Sequence, residues 1–103
     1  TLTEEEKREA RTYYSAMLEE AFRRGADFDL LVLDEAMSAC TTGMVEEERL
    51  LALLAGRPEE LEVVLTGRNP SRNLLDAADY VTEMKKIKHP FDQGVAARRG
   101  IEY

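Results

Sequence analysis

Leu30-Leu31-Val32-Leu33 is an unbroken run of four large apolar residues, and Asp34-Glu35 follows it directly. A run without alternation offers water no polar side, so it reads as a strand covered on both faces, as in a parallel sheet. It is too short to cross a bilayer, which takes about 20 apolar residues. A second short β-branched strand is expected over Glu62-Val63-Val64-Leu65-Thr66, ending at Gly67. Tyr80-Val81-Thr82-Glu83-Met84 is expected to add a third.

Helical patterns alternate with these strands. Thr3 and Glu6 form a capping-box pair in which hydroxyl and carboxylate each satisfy a free backbone N–H. Ala10, Tyr13, Tyr14, Met17, Leu18, Ala21 and Phe22 then recur at helical spacing, and Arg23-Arg24 and Gly25 close the helix. A second amphipathic helix is expected from Glu46 to Ala55, stopped by Gly56 and Pro58, and Ser71 is the expected N-cap of a helix through Ala78. From His89-Pro90 onward the pattern is mixed, with a short helix expected around Asp92–Arg99 before Gly100. Helix and strand in alternation predict an α/β fold with a parallel sheet and flanking helices.

The 103 residues suit one domain, read as a single unit over 1–103. With 14 Lys+Arg against 21 Asp+Glu the net charge is −7, which argues against general nucleic-acid binding through phosphate neutralisation. Residues 1–62 carry 16 acidic and 7 basic side chains, whereas residues 63–103 carry 5 and 7. An anionic ligand is therefore expected on the later part, although acidic exposed helices alone would give the same split. Cys40 is the only cysteine, which excludes an internal disulfide framework and fits a reducing cytoplasm. The charged opening Glu4–Arg11 is unlike a signal peptide. Residue 1 is Thr and not Met, which leads to the expectation of a piece of a longer protein.

In open parallel sheets ligands bind beyond the carboxyl ends of the strands. Strand one ends there in Asp34-Glu35, and strand two in Thr66-Gly67-Arg68. Four apolar residues followed by Asp-Glu form the Walker B pattern, in which a carboxylate holds Mg²⁺ directly or through water. Any parallel strand can end in acids, so the pattern alone is weak. Arg68 and Arg72 flank a helix start and can fork onto phosphate; as surface arginines they could equally be solvated. Ser38, Thr41 and Thr42 fall in an expected loop after the acids. His89, the only histidine, sits between Lys88 and Pro90, a setting for a turn cap more than for a metal ligand. Cys40 has no second Cys to make a zinc site and no His nearby in sequence. The phosphate-cradling G-x-x-x-x-G-K-[ST] does not occur in the chain, which excludes triphosphate binding by these residues unaided.

The ordered motifs are more specific than any one of them. Leu30-Leu-Val-Leu-Asp-Glu35, Leu65-Thr-Gly-Arg68, Leu75-Asp-Ala-Ala-Asp-Tyr-Val-Thr-Glu83, Lys88-His-Pro-Phe-Asp-Gln-Gly94 and the closing Ala97-Arg-Arg-Gly-Ile-Glu-Tyr103 follow in sequence. Together they resemble the P-loop type of ATP:corrinoid adenosyltransferases, also called cob(I)alamin adenosyltransferases. The resemblance covers essentially the whole chain and matches the C-terminal portion of that family.

That resemblance implies part of a P-loop NTPase-like (RecA-like) parallel sheet that lacks its P-loop strand, a strand expected between the Thr66-Gly67-Arg68 strand and the last one. It implies transfer of the 5′-deoxyadenosyl group of ATP to Co(I) of a corrinoid, with release of triphosphate, in cobalamin biosynthesis or salvage. It also implies Mg²⁺ or Mn²⁺, a cytoplasmic homodimer, and neither a nucleic-acid nor a membrane partner. On this reading Glu35 ligates the metal, and Asp34 stands behind that ligand or reaches the metal through water. Thr66, Gly67, Arg68 and Arg72 line the nucleotide, and Lys88, His89 and Phe91 belong to a possible lid. No residue is needed as an acid or base, and the 103-residue piece alone is expected to be inactive. The alternative is a non-catalytic short paralogue acting as a binding or assembly module. A generic P-loop ATPase remnant would explain Asp34-Glu35 but not the ending.

Overall fold

A computed structural model describes residues 1–84 of the chain. Helix α1 (Glu4–Gly25) leads into strand β1 (Leu30–Leu33), then helices α2 (Ala36–Thr41) and α3 (Glu47–Ala55), strand β2 (Glu62–Leu65) and helix α4 (Arg72–Ala77). The two strands pair in parallel, with Leu30 opposite Glu62 and Leu33 opposite Leu65. The chain between them supplies α2 and α3, the crossover that a parallel pair requires. This is the α/β class expected, with a small parallel sheet and flanking helices.

The capping box at the start of α1 is present in both directions: the Glu6 N–H donates to Thr3 Oγ1, and the Thr3 N–H donates to Glu6 Oε1, each at 3.1 Å. Glu4, Glu5 and Glu6 sit in the first turn and Arg23 and Arg24 in the last, charges matched to the helix dipole. The apolar stripe of α1 is used only at its C-terminal end. Phe22 is buried and Leu18 packs on the core, whereas Tyr13, Tyr14 and Met17 remain exposed. An ion pair from Arg49 to Glu19 ties α1 to α3 and holds the Glu19 carboxyl below its ordinary pKa.

The core gathers Phe22, Val45, Leu50 and Leu74, with Leu31, Leu33, Val63 and Leu65 packed against it from the sheet. Successive strand residues point to opposite faces, so Leu30, Val32 and Val64 lie on the other face and are about half exposed, at 52%, 53% and 44%. The expectation that strand one is covered on both faces is therefore corrected: among the described residues the helices pack on one side only.

Two further expectations change. Residues Tyr80–Met84 form no strand; Tyr80 and Met84 are each 93% exposed. Their β propensity is expressed only when a neighbouring strand supplies hydrogen bonds and a packed face, and among the described residues neither β1 nor β2 pairs with them. The segment after Asp34-Glu35 is the helix α2 and not a loop. The helix expected around Asp92–Arg99 lies outside the described residues.

Candidate functional site

Parallel pairing brings the carboxyl ends of β1 and β2 side by side, and Thr66 stitches them together. Its N–H donates to Leu33 O at 3.1 Å, and its carbonyl accepts from the Ala36 N–H at 2.9 Å. Its hydroxyl accepts from the Glu35 N–H at 3.0 Å and donates to Asp34 Oδ1. The direction of the last bond is fixed, because an ionised carboxylate can only accept. The backbone and side chain of one threonine thus hold the whole turn from Leu33 to Ala36.

That turn is strained. Glu35 has φ 56° and ψ 33°, left-handed backbone that a glutamate seldom adopts. It sends the chain straight into α2, where Thr41 Oγ1 and Thr42 Oγ1 donate to the carbonyls of Met37 and Ser38. These hydroxyls are therefore occupied within the helix, which the sequence did not announce because Glu35 gives α2 no side-chain cap.

Gly67 is tightly constrained. Its φ is +154°, and a Cβ placed on it would lie 2.7 Å from Met37 Sδ, 2.9 Å from Met37 Cβ and 3.1 Å from Met37 N. Glycine lets the strand end pass against the first turn of α2. Arg68 follows on the exposed surface and makes no ion pair among the described residues. Arg72 opens α4 and donates to Asp76 at 3.1 Å along the same helix, an exposed pair of little energetic weight. At the helix start the Leu74 N–H is taken by Ser71 Oγ at 3.1 Å, as the expected N-cap requires.

Of the residues singled out from the sequence, Asp34, Glu35, Thr66 and Gly67 form one connected rim, which Arg68 continues along the chain. Lys88, His89 and Phe91 lie outside the described residues. Beside the rim is a groove of about 260 Å³ lined by Met37, Cys40, Thr41, Glu47, Asn69, Ser71 and Leu74. That is below the roughly 300–1,000 Å³ of a complete small-molecule pocket. Burial, and secondarily the Glu47 carboxylate, push the Cys40 thiol above its ordinary pKa, so it is a poor nucleophile. Cys40, Thr41 and Ser71 stand out singly in the sequence, but the groove they share is not legible there because its walls come from four separate segments.

Among the described residues no three His, Cys, Asp or Glu side chains stand together as a self-sufficient metal cage. Asp34 and Glu35 nevertheless fit the donor set that Mg²⁺ uses, one or two carboxylates completed by water and substrate phosphates. Among the described residues no helix is long and apolar enough to cross a membrane.

Residues 1–103 match the family described as ATP:corrinoid adenosyltransferase BtuR/CobO/CobP. The chain is 43% identical over 77 residues to a corrinoid adenosyltransferase of Pseudomonas aeruginosa, covering 75% of this chain and 38% of the relative. It is 40% identical over 75 residues to the corrinoid adenosyltransferase CobA of Salmonella typhimurium, covering 73% and 38%. It is 35% identical over 95 residues to a corrinoid adenosyltransferase of a Sinorhizobium species, covering 85% and 44%. The chain thus spans about two-fifths of the length of the curated relatives it matches.

Proposed function

Because the chain belongs to the ATP:corrinoid adenosyltransferase family, we propose that it forms part of an enzyme moving the 5′-deoxyadenosyl group of ATP to the cobalt of a reduced corrinoid. The observation that carries this reading is the connected rim of Asp34, Glu35, Thr66 and Gly67 at the ends of two parallel strands. Such a rim is where open parallel sheets bind nucleotides, and a P-loop NTPase-like (RecA-like) sheet is the larger architecture it suits.

In this reaction the Co(I) substrate is the nucleophile at ribose C5′. A Co–C bond forms with two electrons from cobalt, the C5′–O bond breaks, and its electron pair leaves on triphosphate. No protein base is required. The protein's part is to position C5′ and to offset charge on the leaving triphosphate. Glu35 would hold a Mg²⁺ or Mn²⁺ ion, with Asp34 beside it; the bound ion supplies charge neutralisation at the phosphates. Arg68 and Arg72 would contribute positive charge toward the phosphates, Arg72 on leaving its exposed pair with Asp76, and Gly67 keeps the strand end clear of bulk. Lys88, His89 and Phe91 complete the proposal as lid residues. The working form is proposed to be a cytoplasmic homodimer acting in cobalamin biosynthesis or salvage.

The 103 residues contain no G-x-x-x-x-G-K-[ST], so the remaining length of the relatives is proposed to supply the triphosphate cradle. The test is adenosylation of chemically reduced cobalamin, followed by absorbance, in the 103-residue chain and in a polypeptide spanning the relatives' full length. The long form is expected to form adenosylcobalamin and to lose most of that activity in Glu35→Gln, whereas the short form is expected to be inactive. Turnover by the short form would refute its proposed dependence on the missing length. A silent long form would refute the enzymatic reading and favour a binding or assembly module.

A further inference from the structure

We infer that Thr66 is the positioning residue of this rim: it orients Asp34 and holds Glu35 in its left-handed turn, leaving Glu35 as the unengaged carboxylate. The inference rests on the metal-holding reading of Asp34 and Glu35 given above. A hydroxyl has one proton and two lone pairs. The proton of Thr66 goes to Asp34 Oδ1 and one lone pair receives the Glu35 N–H. Little of that hydroxyl remains for a nucleotide, although its position beside Gly67 and Arg68 makes it look like a nucleotide contact in the sequence.

The two carboxylates are consequently unequal. Asp34 has one oxygen engaged and is fixed in direction. Glu35 uses only its backbone N–H in the network, and its carboxylate makes no hydrogen bond among the described residues. A left-handed glutamate is held against its own backbone preference, and the bond from its N–H to Thr66 is the side-chain contact that fixes it. Removing the hydroxyl releases both carboxylates together, whereas removing the methyl group of Thr66 leaves both bonds possible. Groups that orient metal-binding side chains in this way affect affinity by about 10–100-fold.

The test uses Mn²⁺ as the probe, read by the EPR signal of the free ion, in a polypeptide spanning the relatives' full length with ATP present. Thr66→Val, which keeps shape and removes the hydroxyl, is expected to weaken protein-dependent Mn²⁺ binding about tenfold. Thr66→Ser is expected to stay near wild type. Binding of metal-free ATP is expected to be unchanged in both, a split that general destabilisation would not produce. Unchanged Mn²⁺ affinity in Thr66→Val, alongside a loss in Glu35→Gln, would overturn the positioning role alone. Equal losses of Mn²⁺ and metal-free ATP binding in Thr66→Val would also overturn it, as would failure of Thr66→Ser to retain affinity. If Glu35→Gln leaves Mn²⁺ binding intact, the metal reading beneath it fails.

Discussion

Replacing Gly67 with alanine tests the close approach of β2's end to α2. Two costs add. The φ of +154° is one that residues with a side chain rarely adopt, a strain of about 1–3 kcal/mol. The new methyl would also lie 2.9 Å from Met37 Cβ and 3.1 Å from Met37 N. Those atoms belong to the backbone and its first carbon and cannot swing away, so overpacking adds about 1–3 kcal/mol. The expected loss is about 2–6 kcal/mol, measured as a lower midpoint at unchanged slope in urea unfolding followed by circular dichroism. Met37→Ala in the same protein removes the Sδ contact at 2.7 Å but leaves Cβ and N in place. It is therefore expected to restore only part of the loss. A Gly67→Ala cost below about 0.5 kcal/mol, the range of an ordinary surface change, would refute the reasoning.

Two other predictions follow from the core and the groove. Leu50 is 1% exposed at the centre of the core, so Leu50→Ala should lose about 2–5 kcal/mol in the same unfolding experiment; a loss within the surface range would show that the site collapses around the cavity. The Cys40 pKa is raised, so at any pH below it the thiolate fraction is smaller than in an exposed cysteine. Its alkylation by iodoacetamide should therefore run slower at pH 8, with the pH–rate midpoint shifted upward. Glu47→Gln should move that midpoint back by less than full exposure in denaturant does, because burial is the larger cause.

Local signals were legible where the chemistry is local. The Thr3–Glu6 box, the Ser71 cap and the Gly56 stop each involve groups a few residues apart, and the helices they bound are present with their ends within a residue or two. The parallel pair was also legible, because two short apolar runs separated by a helical pattern leave few other arrangements. Strand status at Tyr80–Met84 was not, since pairing depends on a neighbour and not on Tyr-Val-Thr itself. Helix α2 was missed because its entry rests on a left-handed Glu35 secured by Thr66, 31 positions away in the chain. The acidic pair and the threonine were both named from the sequence; that the threonine's hydroxyl serves the acids required their geometry.

The register of the two strands has a consequence for how such a chain can change over generations. Leu33 stands opposite Leu65, so the next residue of each strand, Asp34 and Thr66, meets the other with no further instruction. Insertions in the exposed turn at Pro58–Glu60, between α3 and β2, leave that meeting point where it is, since lengthening a surface loop changes closure entropy only slowly. A single-residue insertion or deletion inside either strand inverts its faces and sets a different side chain against Asp34. Lineages carrying this fold should therefore vary in the length of that exposed turn while holding the short spacing from each strand to its rim residue fixed.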